Sequence, residues 1–481
     1  MYIKSLKVLF LYALINLLVH VFYINLPPCG SHVWRQCNTL GMSRNFASES
    51  MDIFHPRIDR RNNSNGITGS HFPAYEWTLA LISKVFGFSD LLARVFSLLV
   101  FTIGMFAFYL FLRQIEFDFK YALIGPLILL SIPQMYYDSM NAMPDVMSLT
   151  LSLLSLYCLT AYFKKDKILF FVFGIIFSMI AGLIKFQFLI IPLSSIVYLR
   201  LNKKTLTLTL LGGLFVSFVV VIWYLYATEL TKLNNLREFG LWIKPISLAA
   251  ILETIKSNLI SDAPELLMGW PLFVLFIVLL KQVGIKGEIK HQIIIGYIGF
   301  LLFYIIAIER MQHHSYYFIV LLPFLVLSIL NSFKSTKFSF NILILICSLN
   351  FIWSFARIIP SRWADGGKGI PEEFKNSEQR NLLTKGIKSS KISLVGPDVS
   401  GCIFFYFTNS KGYSFDNFDE LFEERTQGSE YDLILKSACD KVLIYKSDSL
   451  DRKMELIKNK KLLNRVGNFE IWALYRNQIT E

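Results

Sequence analysis

Apolar runs of about twenty residues, the length that crosses a bilayer, recur from the start of the chain to about residue 358. The stretch "VFSLLVFTIGMFAFYLFL" (95–112) is typical. Lipid offers no hydrogen bonds to an exposed backbone, so such runs fold as helices packed side by side. Hydrophobic residues make up 54% of the chain, more than an ordinary soluble domain carries. The formal net charge is +13. Nucleic acid is not the expected partner, because the basic residues gather in short loops and no RNA-binding or zinc-finger spacing accompanies them.

Spans are expected near 8–26, 90–112, 120–137, 145–163, 167–183, 187–201, 205–226, 266–281, 291–308, 316–332 and 338–357. That is about eleven, with the pair around "GLIKFQF" read as a helical hairpin or a broken helix. The basic start and long apolar run of the first segment suit an uncleaved span better than a signal peptide. Alternate loops are basic: Lys4 and Lys7, Arg113 and Lys120, Lys164 to Lys167, Arg200 to Lys204, Lys281 to Lys290, Lys334 and Lys337. The positive-inside bias makes that side cytoplasmic. An odd span count then puts the N-terminus inside and the C-terminus outside.

The tail, 359–481, changes character. "KISLVG", "CIFFYF", "KVLIYK" and "FEIWALY" are strand-sized. "FDELFEER" and "LDRKMELIKNKKLL" between them read as helices, which predicts a small α/β domain. "IPSRWADGGKGIPEEF" reads as a linker from its Gly and Pro content. In an oxidising compartment Cys29 could pair with Cys37, or Cys402 with Cys439, but no metal-site spacing is present.

The first outer loop, 27–89, is the most polar segment near a span. "NTLGMSRNFASES" predicts an amphipathic helix on the membrane surface, capped by Asn38 or Thr39. "YEWTLALISKVFGFS" predicts a second. Arg35 and Arg57 are candidate phosphate partners, because guanidinium offers paired donors. Trp34 has the face to stack on a sugar or to anchor at the interface. Lys185 stands between two apolar runs, where a lysine costs about 2.5–3.5 kcal/mol at membrane depth unless it snorkels. Arg310, His313, His314, Tyr316 and Tyr317 crowd a short outer loop, as a sugar-phosphate contact or an aromatic belt. The first loop offers Asp52, Asp59 and Glu76 as candidate carboxylates.

"HVWRQCNTLGMSRNF", "HPRID" and "FPAYEWTLALISKVFG" together resemble the membrane glycosyltransferases of the protein mannosyltransferase and aminoarabinose transferase group, in the bacterial pattern "WRQ-x-D-T…ARNF…PRID…FPLY". "MPDVMSLTLSLLSLY" and "HHSYYF" are similar to later landmarks of that group. The resemblance implies a GT-C fold: an all-α polytopic core of about eleven transmembrane helices (1–358) with a catalytic first outer loop, followed here by a small α/β extracytoplasmic domain (359–481). It implies inverting transfer of a hexosyl or pentosyl unit from a polyprenyl-phosphate carrier to a lipid, glycan or protein acceptor, at the outer face of a bacterial inner membrane. By motif match it implies Asp59 as the base, Asp145 as its partner, and His314 and Tyr317 near the donor, while Arg35, Arg57, Lys185, Arg310 and Trp34 are placed around the donor by their own chemistry. No cofactor is firmly implied, and a divalent metal stays open. One departure stands out. The aspartate of "WRQ-x-D-T" is Asn38 here, and an amide is no base. The alternative is a lipid-linked sugar binder or a flippase-like protein without transfer activity.

Overall fold

The structure, a computed structural model, describes residues 2–61, 64–200, 202–233, 247–280, 288–312, 314–387, 393–414, 440–445 and 460–474. Among the described residues, six helices are long and apolar enough to cross a membrane. A further pair, Leu248–Leu267 and Trp270–Leu280, passes together but bends by 116°. Four shorter apolar helices, Ser5–His20, Phe119–Ser131, Ile168–Ile184 and Phe186–Tyr198, complete the set. Each of the eleven expected segments coincides with one of these. The chain is therefore a multi-pass membrane protein. The break in "GLIKFQF" falls at Lys185, whose extended backbone ends Ile168–Ile184 before the turn Phe186–Leu189 begins.

Between the first two spans lie two loop helices, Val33–Ser48 and Ala74–Phe86. The first differs from the expected surface helix. It starts at Val33, so Asn38 and Thr39 lie inside it, and the residue before it, His32, adopts a left-handed backbone (φ 54°). Twelve of its sixteen residues are buried. The reason is cover from both sides: it packs on Ala74–Phe86 and on a short helix of the tail, Ile403–Thr408. Cys37, Leu40, Tyr75 and Leu79 share one apolar core with Phe404 to Phe407.

In the tail, β1 (Ser393–Gly396), β2 (Gly412–Ser414), β3 (Lys441–Tyr445), β4 (Lys460–Val466) and β5 (Phe469–Leu474) form one sheet in the order β2-β1-β3-β5-β4. Its β2-β1-β3 part is parallel, and β3-β5-β4 is antiparallel. The stretches "KISLVG", "KVLIYK" and "FEIWALY" supply β1, β3 and β5. "CIFFYF" does not form a strand. It makes the helix Ile403–Thr408, where its aromatic residues are buried on several sides at once, against Phe374 and Phe469 as well as the loop helix. The end of "LDRKMELIKNKKLL" is strand β4. "FDELFEER", Cys439, His313 and most of 234–246 lie outside the described residues.

The expected linker is also packed. Trp363 is 1% exposed, stacked on Tyr23 (5.0 Å) and beside Tyr136 and Tyr137. Phe374 lies parallel to Phe407 at 4.7 Å. Burial of Trp363, Ile370 and Phe374 overrides the glycines' freedom and makes this segment a strap. Cys29 and Cys37 carry free thiols, so the expected bridge between them is absent.

Candidate functional site

Five chain segments converge near one set of helix ends. The loop helix brings Arg35. The helix Pro144–Lys165 begins with Pro144, which suits a first turn, and presents Asp145. The break after Ile184 presents Lys185. The segment 314–317 supplies His314, Tyr316 and Tyr317. The segment 69–76 is tied alongside by the Phe72 N–H, which donates to the Leu183 carbonyl (3.0 Å).

Asp145 is fully buried. Arg35 Nη2 lies 3.8 Å from Oδ2, and Lys185 Nζ lies 4.0 Å from Oδ1. Neither carboxylate oxygen has a hydrogen-bond partner, and neither do Nε and Nη2 of Arg35. Burial works against the Arg35 charge, but Asp145, with Tyr316, Glu76 and Tyr317 adding, raises the guanidinium above its ordinary value. An acid at a helix start usually serves the dipole. Asp145 caps no backbone N–H of its own helix and faces two cations instead.

Aromatic rings wall this group. Lys185 stands over the Tyr316 (5.7 Å) and Tyr317 (5.1 Å) rings, and Arg35 over Tyr316 (5.9 Å). His314 stacks on Tyr316 (5.3 Å), and Trp34 lies 5.8 Å from His314. His32 is set edge-on to Tyr316 (4.9 Å), with Nε2 3.3 Å from Ser315 Oγ. Burial, reinforced by His314 and Arg362, pushes the His32 imidazole down to about 3. Its left-handed backbone is the kind of strain that collects at functional sites. Arg310 pairs with Glu309 (3.2 Å) at the edge of the group.

Of the residues expected from the sequence, the structure brings together Arg35, Asp145, Lys185, His314, Tyr317 and Trp34, with Arg310 beside them. It does not bring Asp59 or Arg57 there. Asp59 is buried, accepting from Arg44 Nη2 (2.9 Å) and Asn45 Nδ2 (2.9 Å). Arg44 is nine residues beyond Arg35, roughly 13 Å along the helix axis. Arg57 pairs with Glu49 (3.2 Å), which also binds Arg61 (2.6 Å) and Lys411. These two expected residues serve the junction of loop and tail. The partner of Asp59 is Arg44, not one of the arginines next to it in sequence.

His71 and Arg362 were missed by sequence reasoning, and Glu76 stood there only as one of the first loop's acids. His71 Nε2 and Glu76 Oε1 lie 2.8 Å apart, both buried. Burial lowers His71 below its ordinary value, more than Glu76 raises it, so the neutral ring donates to the carboxylate. Asp138 is buried, accepts from Gln134, and is pushed up to about 7 by burial, with Asp145 adding. Arg362, on the strap, lies over Tyr137 (5.8 Å). A buried acid (Glu76) five residues after a His was the one legible signal; nothing in the sequence marked Arg362. Among the described residues, no three His, Cys, Asp or Glu side chains are grouped to hold a metal ion.

The class of protein follows from this architecture: a polytopic helical membrane protein of the GT-C fold, with a small C-terminal sheet. Residues 70–226 match the family described as dolichyl-phosphate-mannose-protein mannosyltransferase. The fold is similar to ArnT from Cupriavidus metallidurans in its apo state (TM-score 0.65, 10% identity, 96% of this chain and 97% of that one). It is similar to the same enzyme bound to undecaprenyl phosphate (TM-score 0.58, 12% identity, 96% and 97%). A third likeness is the Archaeoglobus fulgidus oligosaccharyltransferase AglB in complex with an inhibitory peptide and a dolichol-phosphate (TM-score 0.54, 12% identity, 92% and 69%). No curated protein matches the sequence.

Proposed function

We propose that this protein transfers a sugar from a polyprenyl-phosphate carrier to a lipid, glycan or protein acceptor. The reaction takes place at the outer face of a bacterial inner membrane, with the N-terminus inside and the tail outside. Residues 1–358 carry the transfer, and 359–481 form the extracytoplasmic part. One observation carries the reading: two buried cations face a buried carboxylate at 3.8 and 4.0 Å, with none of the facing carboxylate oxygens or Arg35 Nη2 hydrogen-bonded. Each unpaired buried polar group costs roughly 1–3 kcal/mol. A phosphate oxygen entering beside Arg35 and Lys185 relieves that cost and meets charge where the leaving group develops it. Support comes from the family match at 70–226 and from the fold shared with an enzyme that binds undecaprenyl phosphate.

In this mechanism Arg35 and Lys185 hold the departing phosphate, and Asp145 keeps both cations in place between turnovers. Tyr317 and Trp34 contact the sugar, with His314 packing between them and Tyr316. Attack from the face opposite the phosphate inverts the anomeric carbon, whether the unit is hexosyl or pentosyl. Purified protein in nanodiscs, given radiolabelled polyprenyl-phosphate sugars, should release polyprenyl phosphate. Arg35→Gln and Lys185→Gln should each lower kcat/KM by more than tenfold. Absence of both donor binding and release would sink the reading. A second reading, carrier binding without transfer, is favoured by Asn38 at the position of the group's aspartate; it predicts donor binding with no release.

A further inference from the structure

The proposed transfer needs a carboxylate to take the acceptor proton, and Asn38 removes the one the sequence pattern would supply. The first outer loop offers four acids, and Glu49 is taken up by Arg57, Arg61 and Lys411. Asp52 is exposed and engaged with His55 (2.7 Å). Asp59 is locked between Arg44 and Asn45. Glu76 differs from all three. It is fully buried, His71 occupies Oε1, and Oε2 has no partner.

A glutamate in the first turn of a helix ordinarily reaches back to the backbone at the helix start. Glu76 instead turns to His71, whose Nδ1 is held by Ser70 Oγ (3.2 Å). Both ring nitrogens of His71 are thus engaged, so the ring serves to orient the carboxylate. The segment that carries His71 is bonded through Phe72 to Leu183, two residues from Lys185. The helix that carries Glu76 packs on the loop helix of Arg35 and on the helix that starts at Asp145. Glu76 and Arg35 sense each other electrostatically, as do His71 and Lys185. Glu76 therefore sits on an element packed against the helices of both Arg35 and Asp145. Asp138, bonded to Gln134 through one oxygen, also keeps a second oxygen without a partner, but it lies at the end of Pro133–Asp138 and not in the first loop.

We propose that Glu76, oriented by His71, is the base of the transfer in place of the missing aspartate at Asn38. This rests on the transferase reading above. The acceptor O–H proton passes to Glu76 Oε2, and the acceptor oxygen forms a bond to the anomeric carbon. The bond from that carbon to the phosphate oxygen breaks, and its electron pair leaves with the polyprenyl phosphate held by Arg35 and Lys185. His71 keeps its proton on Nε2 throughout.

The test compares wild type, Glu76→Gln, Glu76→Asp and the double variant Asn38→Asp/Glu76→Gln in nanodiscs. General-base removal costs about 10²- to 10⁴-fold. Glu76→Gln should lose kcat in that range while donor KM changes by less than about threefold. Glu76→Asp should keep part of the rate, and the double variant should regain at least about tenfold over Glu76→Gln. Turnover by Glu76→Gln close to the wild-type rate overturns the proposal. A second measurement needs no turnover: the affinity for undecaprenyl phosphate alone. The base stands away from the leaving group, so Glu76→Gln should bind undecaprenyl phosphate within about threefold of wild type, and a loss of binding of about tenfold or more means that Glu76 builds the donor site instead of taking the proton, which also overturns the proposal. Wild-type protein that transfers no sugar sinks the transferase reading, and the base role with it, whichever way binding falls.

Discussion

Two aspartates in similar sequence settings, both beside a proline-containing landmark, have opposite surroundings. Asp59 is saturated by Arg44 and Asn45, whereas Asp145 has cations at about contact distance and no hydrogen bonds. Asp59→Ala strands the Arg44 charge and should cost roughly 3–5 kcal/mol of stability, seen as a large fall in thermal midpoint. Asp145→Asn leaves Arg35 and Lys185 without their counter-charge and should lower the midpoint as well as donor turnover. Asp138 adds a pH signature. Its folded-state value is about 7, against an ordinary 3.8. Between these values the folded state holds a proton that the unfolded state has released, so this group makes stability fall as pH rises from about 4 to about 7. Asp138→Asn should remove that slope from a thermal-shift profile. Lys185 was legible in the sequence because a lone cation between apolar runs is conspicuous. Glu76 was not, because only the fold shows that its second oxygen is left over.

Among elements, the loop helix decides the site. Its polar face meets the hollow through Arg35 and the tail junction through Arg44, and its apolar residues are buried on both flanks. Glu49, just past its end, gathers Arg57, Arg61 and Lys411. Burial opposes its ionisation, but bonds from Arg61 and Lys411 win and hold it at about 2, below the ordinary 4.5. Its folded value is depressed, so the contribution is present above pH 4.5 and is lost as pH falls towards 2. Hydrogen exchange at Gly412, whose N–H donates to the Asp59 carbonyl (3.1 Å), should speed up across that window, and Glu49→Gln should flatten the response. Gly69 lies so close to the Ala227 backbone that a Cβ has no room. Gly69→Ala should displace the His71 segment, lowering both thermal midpoint and undecaprenyl phosphate affinity. The spans were readable because hydropathy and length alone define them. "CIFFYF" was misread because a short apolar run buried on several sides shows no period to separate strand from helix. The strap was misread because its glycines were weighed above its Trp and Phe.

At the scale of the molecule, the proposed orientation rests on Lys and Arg in short loops, which carry more topological weight than the long first loop. Val399 is 77% exposed in the tail. A cysteine there should react with a membrane-impermeant maleimide in spheroplasts, whereas one at Lys334 should react only after lysis; the reverse pattern would invert the topology. The tail is joined to the loop through Arg44, whose Nη1 donates to the Tyr406 carbonyl (3.0 Å), and through Asp90, which accepts from Tyr406 and Arg380. None of these long-range partners could be matched by reading the chain, since nothing local records them.

The Arg44–Tyr406 contact joins residues 362 positions apart. While the ribosome is still making the later spans, the first loop is already made but lacks the helix that covers it. The surroundings of the loop helix are completed only when nearly the whole polypeptide has been synthesised, so a half-made copy leaves that helix uncovered on one side.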